Sequence, residues 1–367
     1  MGDRRGALLV VVVVVIGFAA AGYLALRPDG LPRSETCDDV APGDARLRSV
    51  APDAAPTAEG AEGASPEPVF RPKEAEQVYC DDLADPFVLA VDRPVGQRLF
   101  TFGTGTQAAN VPVLVSGGLA RSEEVLDALP ALPGWSSEGA VWAPSVLERG
   151  GRFFLYYTTR HAESGRQCIS HAKSDRAEGP YEDTSTAPLV CPLERGGAID
   201  PSPFVDPDGT AFLLWKADGN CCGLPVGLFA QELDAAGTAV VGEPAELLAP
   251  SQPWEGGVVE APVMVLRDGV HHLFYSANDW SGAGYAIGWA TCESVTGPCT
   301  KPLDGPWLAS SGEAVGPGGQ EVFADSGGDL HLVFHAWDAA AIGYDAGGFR
   351  RLYAVGLRFV DGRPVTS

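Results

Sequence analysis

Three acidic residues of the 367-residue chain, Asp85, Asp200 and Glu260, stand at nearly regular intervals, and each opens a similar stretch of sequence. When these stretches are aligned on their turn glycines, Trp142 and Gly319 fall at the same position, and neighbouring positions are 57 to 60 residues apart. Carboxylates gathered in one pocket repel each other, so their pKa values separate and one group donates a proton while another accepts one. The residue types therefore predict acid–base chemistry by side chains from different repeats.

The elements that must bring these residues together are short apolar strands around Asp-Gly and Gly-Gly turns, such as RFFLYYTTR, TAFLLWKA and VHHLFYSAND. Five repeats of this length are typical of an all-β, five-bladed β-propeller, in which equivalent positions of the blades converge on the central axis. The propeller is predicted to occupy residues 76–367. The stretch SEEVLDALPAL at 122–132 is instead predicted to be a short helix, because a serine N-cap precedes acidic residues.

The N-terminal part of the chain has a different composition. Residues 7–26 contain no charged residue, and about 20 apolar residues suffice to span the roughly 30 Å core of a bilayer. Because Arg4 and Arg5 are expected to stay in the cytoplasm, residues 1–27 are predicted to anchor an extracytoplasmic protein. The alternative is a cleaved signal peptide and a secreted protein. Residues 28–75, rich in Ala, Pro, Glu and Gly, are predicted to form a flexible linker.

The net charge and the cysteines narrow the class of protein. A net charge of −23 argues against a nucleic-acid partner, which requires a basic face. Eight cysteines in an exported chain predict disulfides, and the absence of a C-x-x-C pair argues against a zinc site. The predicted pairs are Cys292–Cys299, Cys168–Cys191, Cys37–Cys80 and the adjacent Cys221–Cys222.

Four motifs, ADPFVLA, VWAPSV, AIDPSPFVDPDG and VVEAPVMV, occur in this order between about residues 78 and 364. In sequence and spacing they resemble the family 43 glycoside hydrolases, five-bladed propellers that act mainly on arabinose- and xylose-containing polysaccharides. The resemblance implies an inverting hydrolysis of a polysaccharide or oligosaccharide substrate. It assigns Asp85 as general base, Glu260 as general acid, and Asp200 as the residue that orients the acid and modulates its pKa.

Physical reasoning supports this division of roles. An inverting glycosidase needs a base on one face of the sugar and an acid on the other, with the two carboxyl groups about 6.5–9.5 Å apart so that water fits between them. An aspartate before proline is by itself a common turn residue. Three acidic residues at one repeat position are harder to explain structurally, because buried like charges reduce stability.

Further residues are candidates for binding the sugar. Trp142 could stack on a sugar face or pack between blades, and Trp254, on the loop before Glu260, could form a subsite wall or pack at the surface. The inward-facing arginine of the family is matched by Arg350 or Arg351, and Arg351 is the one we select to lie near the carboxylates.

The fifth repeat departs from the family pattern. Many members carry a histidine, which helps to bind calcium, where this chain has Gly319 in the run Gly-Pro-Gly-Gly-Gln. A calcium ion in the central channel is therefore in doubt, no cofactor is expected to be required, and Gln320 is the candidate to replace the histidine as a hydrogen-bonding group. His335 is expected to be a hydrogen-bonded interior residue rather than a ligand.

Two other functions remain open from the sequence. A retaining fructosidase-like propeller would need its two carboxyl groups only about 5–5.5 Å apart, and the order of the motifs fits the inverting family better. A non-catalytic carbohydrate-binding propeller is expected to have lost at least one carboxylate, whereas all three are present here.

Overall fold

The computed structural model describes residues 75–94, 96–119 and 122–367, and in these residues twenty strands form five antiparallel sheets. The first and second sheets contain β2 (Phe87–Arg93), β3 (Gly96–Phe102), β4 (Pro112–Ser116) and β5 (Ser122–Asp127), then β6 (Trp142–Arg149), β7 (Arg152–Arg160) and β8 (Gln167–Ser174). The third contains β9 (Ala198–Val205), β10 (Ala211–Ala217), β11 (Gly227–Leu233) and β12 (Val240–Leu248). The fourth contains β13 (Val259–Arg267), β14 (Val270–Ala277), β15 (Ala286–Cys292) and β16 (Cys299–Thr300), and the fifth β1 (Glu76–Tyr79), β17 (Ala314–Ala324), β18 (Leu330–Asp338), β19 (Arg350–Val360) and β20 (Arg363–Thr366).

The sheets are arranged as the five blades of a β-propeller. The inner strands β2, β6, β9, β13 and β17 each contact the next one, and β17 contacts β2, so that they form a closed ring around the axis. The first strand of the described chain, β1, pairs with β19 of the last blade, which joins the two ends of the propeller. The prediction of an all-β, five-bladed propeller is confirmed.

Local sequence explains why the blades form meanders. Between β13 and β14, Arg267 pairs with Val270 across the two-residue loop Asp268-Gly269, whose φ angles are 51° and 78°. Positive φ at both residues is the geometry of a type I′ turn, the tight hairpin that Asp-Gly favours. The apolar faces of the blades then pack on each other, as Phe102 of β3 and Tyr157 of β7 do in one buried cluster. This packing holds the inner strands in fixed positions.

Each blade has the same backbone irregularity where its inner strand begins. Five residues adopt a left-handed conformation there: Asp85 (φ 51°), Ala143 (43°), Asp200 (56°), Ala261 (48°) and Gly319 (56°). Non-glycine residues rarely adopt this conformation, and it costs about 1–3 kcal/mol each. The sequence alignment was therefore wrong by one residue for two positions, because Trp142 and Glu260 precede the equivalent residues Ala143 and Ala261. Alignment on the turn glycines fails here because the loop after the inner strand is two residues long in the second and fourth blades and five residues long in the third and fifth.

The predicted helix at 122–132 was also wrong, because strand β5 (Ser122–Asp127) occupies its first half and pairs with β4. The Asp127 carboxylate accepts hydrogen bonds from the backbone of Val111 and Leu129 and so fixes the end of this edge strand. Pairing at the edge of a sheet outweighs a local N-cap signal. The helical segments in the described residues are short 3₁₀ turns at Leu193–Arg195, Gly219–Cys222, Pro253–Glu255 and Tyr344–Ala346.

The predicted anchor and the linker up to residue 74 lie outside the described residues. Within the described ranges, no helix has the length and apolar character that crossing a membrane requires. Three of the four predicted disulfides are present, namely Cys168–Cys191, Cys221–Cys222 and Cys292–Cys299. The fourth prediction involves Cys37, which is not among the described residues.

Candidate active site

A pocket of about 290 Å³ lies where the inner strands begin. Asp85, Asp200 and Glu260 all line it, although they come from three different blades. The prediction that these carboxylates converge is therefore confirmed. The other lining residues are Thr104, Trp142, Arg160, Gly165, Arg166, Gln167, Ile199, Lys216, Asp218, Asn220, Cys221, Trp280, Tyr285 and Arg350.

Asp85 is held by two groups at its carboxylate and by one at its backbone. Its Oδ2 atom accepts a hydrogen bond from the Thr104 hydroxyl at 2.5 Å and lies 3.7 Å from Nη1 of Arg350. Its backbone N–H donates to Nδ1 of His335 at 3.0 Å. A hydroxyl donor and a guanidinium both stabilise negative charge on a carboxylate. The Asp85 carboxylate is thus fixed in orientation by a hydroxyl donor and has a cation beside it. The interior, hydrogen-bonded position predicted for His335 is confirmed.

Glu260 has different neighbours and is 9% exposed. Its Oε1 atom accepts a hydrogen bond from the Tyr285 hydroxyl at 2.7 Å, and its Oε2 atom accepts one from Nζ of Lys216 at 2.8 Å. Lys216 also lies 3.6 Å from Oδ1 of Asp218. The Glu260 carboxyl group is therefore fixed in orientation by two donors, one of which carries a full positive charge.

Asp200 contacts the peptide that directly follows Glu260. The backbone N–H of Ala261 donates to Oδ2 of Asp200 at 2.8 Å, so Asp200 orients the start of β13. Burial and the negative charge of Glu260 raise the pKa of Asp200 to about 8, although the charge of Lys216 opposes this effect. Asp200 therefore retains its proton more readily near neutral pH than an ordinary aspartate does.

The two predicted tryptophans have different positions. Trp142 lines the pocket, as expected for a residue that contacts the sugar. Trp254 does not line it, because its ring is 6% exposed in the hydrophobic core beside Tyr275, and its Nε1 donates to Gln252. The prediction of a subsite wall at Trp254 was wrong. A tryptophan that the sequence analysis did not select, Trp280, lines the pocket instead.

Gln320 forms hydrogen bonds as predicted, but its selection as a substrate-binding residue was wrong. Its Oε1 accepts a hydrogen bond from the Ser276 hydroxyl at 2.7 Å and its Nε2 donates to the Ala261 carbonyl at 2.6 Å, so both ends of the amide are occupied. It lines a smaller cavity of about 40 Å³ rather than the pocket. Gln320 therefore joins the fourth and fifth blades and contributes no group to a substrate.

Of the two adjacent arginines, the structure brings Arg350 and not Arg351 to the site. Arg350 lines the pocket beside Asp85, and its guanidinium lies 4.7 Å from the ring centre of Trp280. Arg351 points away and pairs with Asp338 at 3.5 Å. Successive residues of a strand face opposite sides of the sheet, so only one of the two could face the channel. The selection of Arg351 was wrong.

The sequence-based predictions did not include three residues that contact the carboxylates, namely Lys216, Tyr285 and Thr104. Lys216 had a usable signal, because it stands inside the otherwise apolar strand AFLLWKA, where a buried ammonium group requires a carboxylate partner. Tyr285 and Thr104 had none, since both lie outside the repeated motifs, and only the arrangement of the blades brings their hydroxyl groups to Glu260 and Asp85.

The residues at the channel centre do not fit the calcium site that the family resemblance suggests. A Cβ atom on Gly319 would lie 2.6 Å from Nδ1 of His335 and 2.6 Å from Oδ1 of Asp85, so the His335 ring fills the space beside the glycine. Nδ1 of His335 accepts from Asp85, which leaves the proton on Nε2 of the neutral ring and makes that atom a donor. Calcium requires six to eight oxygen ligands, and the described residues contain no group of three metal-ligating side chains placed to bind an ion.

The sequence is similar to those of known glycosidases. The chain is 26% identical over 211 residues to the β-D-galactofuranosidase xynD of Aspergillus niger and 28% identical over 210 residues to the extracellular endo-α-(1→5)-L-arabinanase 1 of Bacillus subtilis. These alignments cover 55% and 54% of this chain but only 58% and 61% of the two relatives.

A solved structure is also similar along most of the propeller. The crystal structure of a thermostable family-43 glycoside hydrolase superposes with a TM-score of 0.67 at 27% identity and covers 78% of this chain and 93% of that one. The model of the family described as glycosyl hydrolases family 43 matches residues 78–359, which include Asp85, Asp200 and Glu260. The chain therefore belongs to glycosyl hydrolase family 43.

Proposed function

We propose that the chain is a glycosidase that hydrolyses arabinose- or xylose-type linkages of polysaccharides or oligosaccharides with inversion at the anomeric carbon. The observation that carries the proposal is the convergence of Asp85, Asp200 and Glu260 in one pocket with different partners. A pocket that binds sugar without catalysis has no need for three carboxylates placed this close together, since their mutual repulsion reduces stability.

The roles follow from the contacts of each carboxylate. Asp85, held next to Arg350, acts as the base that removes a proton from water while the water oxygen bonds to the anomeric carbon. The bond from that carbon to the leaving oxygen breaks with its electron pair on oxygen, and Glu260 supplies the proton that this oxygen takes up. Asp200 holds the backbone beside Glu260 and, through its own charge, affects how readily Glu260 keeps a proton.

The substrate class is inferred from the relatives and the pocket walls. The relatives are a galactofuranosidase and an arabinanase, so five-membered sugar rings are the first candidates, with xylosides next. Trp142 and Trp280 line the pocket and offer flat apolar surfaces on which a sugar ring can stack. We therefore expect the sugar to be bound between these indoles and the carboxylates.

The location of the protein is a further part of the proposal. The apolar run at 7–26 is proposed to hold the chain at the membrane with the propeller outside the cytoplasm, and the alternative is secretion after cleavage. An intact N-terminus in the membrane fraction supports the anchor. A shortened chain in the medium supports cleavage, and an intact chain in the soluble cytoplasmic fraction contradicts both.

The experiment that tests the activity uses the full-length chain in mild detergent. Aryl arabinofuranosides, xylosides and galactofuranosides are screened together with arabinan and xylan, and proton NMR follows the anomer that appears first. Hydrolysis with an inverted anomer is expected. A retained anomer would favour a fructosidase-like retaining mechanism, and glycan binding without turnover would favour a non-catalytic propeller.

A further inference from the structure

Lys216 is an ammonium group in the interior of the third blade. It lies on β10 opposite Ile199 of β9 and Leu228 of β11, and the residue is 1% exposed. Transfer of an unpaired charge into such a place is strongly unfavourable. A lysine is retained here only if nearby carboxylates compensate the loss of water, which makes the identity of these carboxylates informative.

The partners of Lys216 belong to the pocket. Its Nζ atom lies 2.8 Å from Oε2 of Glu260 and 3.6 Å from Oδ1 of Asp218, a residue that also lines the pocket. Burial acts to lower the pKa of Lys216, but the charges of Glu260, Asp218 and Asp200 outweigh it and raise this pKa above its ordinary value. Lys216 is therefore positively charged at neutral pH.

The contacts of Glu260 are those of a carboxylate that has lost its proton. Lys216 donates to one oxygen and Tyr285 donates to the other, so both oxygens act as acceptors. Burial and the charge of Glu260 raise the pKa of Tyr285 well above its ordinary value, so Tyr285 remains a hydroxyl donor. The negative charge that Glu260 gains when it releases its proton thus finds two donors already in place.

We propose that Lys216 is a positioning residue for the acid, whose ammonium group orients Glu260 and stabilises the charge that Glu260 acquires as it protonates the leaving oxygen. This inference rests on the proposed function. The proton moves from Glu260 to the leaving oxygen, and Lys216 itself neither gives nor takes one. Preorganised charges aimed at a site where charge develops are a large source of catalysis.

Other charged groups face Glu260 and act with or against Lys216. Asp200 on β9 lies beside Glu260 and, when ionised, repels its negative charge. Asp218, just after β10, draws part of the Lys216 charge away from Glu260. Further into the pocket, the Asp85 and Arg350 charges form a pair with each other. Lys216 is thus the cation in direct contact with the acid, and its removal has the largest expected effect.

The test compares pH profiles of kcat/KM for the full-length wild type and the variants K216M, K216R and D218N. The substrate is an aryl glycoside with a poor leaving group, for which an acid is needed. An acid works only while it is protonated, so kcat/KM falls at high pH as Glu260 loses its proton. This falling part of the pH profile is called the alkaline limb here. Without the Lys216 charge, Glu260 keeps its proton to higher pH, and an opposite charge at this range is worth about 1–3 pH units.

The expected result is an alkaline limb at higher pH in K216M, with a lower rate on its plateau, and a limb close to wild type in K216R. D218N should move the limb to lower pH, because the whole Lys216 charge then acts on Glu260. K301M is the matched control, since Lys301 forms a buried pair with Glu255 outside the pocket. It should reduce stability and leave the limb unchanged.

If the wild type is active and the alkaline limbs of K216M and D218N lie at the same pH as that of the wild type, the inference is overturned. If K216M does not fold, D218N alone decides. A wild type without turnover would instead count against the proposed function, and in that case NMR titration of protein labelled with ¹³C at the glutamate carboxyl carbons replaces the rate. The Glu260 signal, identified by its loss in E260Q, should titrate at higher pH in K216M, and an unchanged midpoint would overturn the inference.

Discussion

The imidazole of His335 supports the backbone of Asp85 from a strand 250 residues further along the chain, by accepting the Asp85 N–H at 3.0 Å. Asp85 has a φ angle of 51°, so its backbone needs such support. The His335 side chain is 0% exposed, and burial together with the charge of Arg350 lowers its pKa well below the ordinary value. His335 therefore remains neutral and keeps accepting at working pH.

Replacement of His335 by alanine should reduce kcat about 100-fold, because a shift of the base by about 1 Å has an effect of this size. The KM should change much less, since His335 does not line the pocket. The matched control is H331A on the same strand, where His331 pairs with Asp325 away from the pocket. Equal kcat values for H335A and the wild type would contradict the role of His335.

The adjacent arginines offer a direct comparison. R350M leaves Asp85 without the cation that stands beside its carboxylate in the pocket. We expect kcat/KM to fall by about 100-fold or more. R351M removes only a partly exposed pair with Asp338, worth about 0–1 kcal/mol. Steady-state rates and melting temperatures of both variants check this, and equal losses would show that Arg350 has no particular role.

The three tryptophans should separate binding from stability. W142A and W280A remove pocket walls and should raise KM about tenfold, which corresponds to about 1.4 kcal/mol of lost binding. W254A removes a core side chain and should lower the free energy of unfolding by about 3–5 kcal/mol with KM unchanged. Urea unfolding and steady-state kinetics measure the two effects. A raised KM in folded W254A would restore Trp254 as a subsite residue.

The sequence predicted the blades well because each is a local meander with apolar strands and tight turns. It predicted the convergence of Asp85, Asp200 and Glu260 because the inner strands of all blades run beside the central axis, so that corresponding positions of different blades lie close together. The one-residue error at Glu260 arose from the hairpin loops, which are two residues long after β13 but five residues long after β9, so that the turn glycines are not at equivalent positions. The choice of Arg351 over Arg350 failed because the sequence pattern does not fix the register of β19 to one residue, and one residue of register reverses the face of a strand.

Contacts across blades were not predictable. Lys216 reaches Glu260, His335 reaches Asp85 and Gln320 reaches Ala261 only because separate sheets are packed around one axis. Trp254 was misassigned because its place on a loop next to Glu260 in sequence says little about the direction of its ring, which the core of the third and fourth blades determines.

Chelation gives a simple test of the channel centre. Because the His335 ring occupies the space beside Gly319 and offers no free acceptor there, activity should be unchanged after dialysis against EDTA. The initial rate on an aryl arabinofuranoside, before and after dialysis, measures this. A large loss that calcium restores would show that the enzyme depends on calcium.

The central claim is that Glu260 is the acid and Asp85 the base. It is tested most directly by comparing E260Q and D85N on two substrates of the same sugar, one with an activated aryl leaving group and one with a poor leaving group. E260Q should lose about 10²–10⁴-fold on the poor leaving group, the usual contribution of acid–base catalysis, and little on the activated one, whereas D85N should lose activity on both. Equal losses of E260Q on the two substrates would contradict the account.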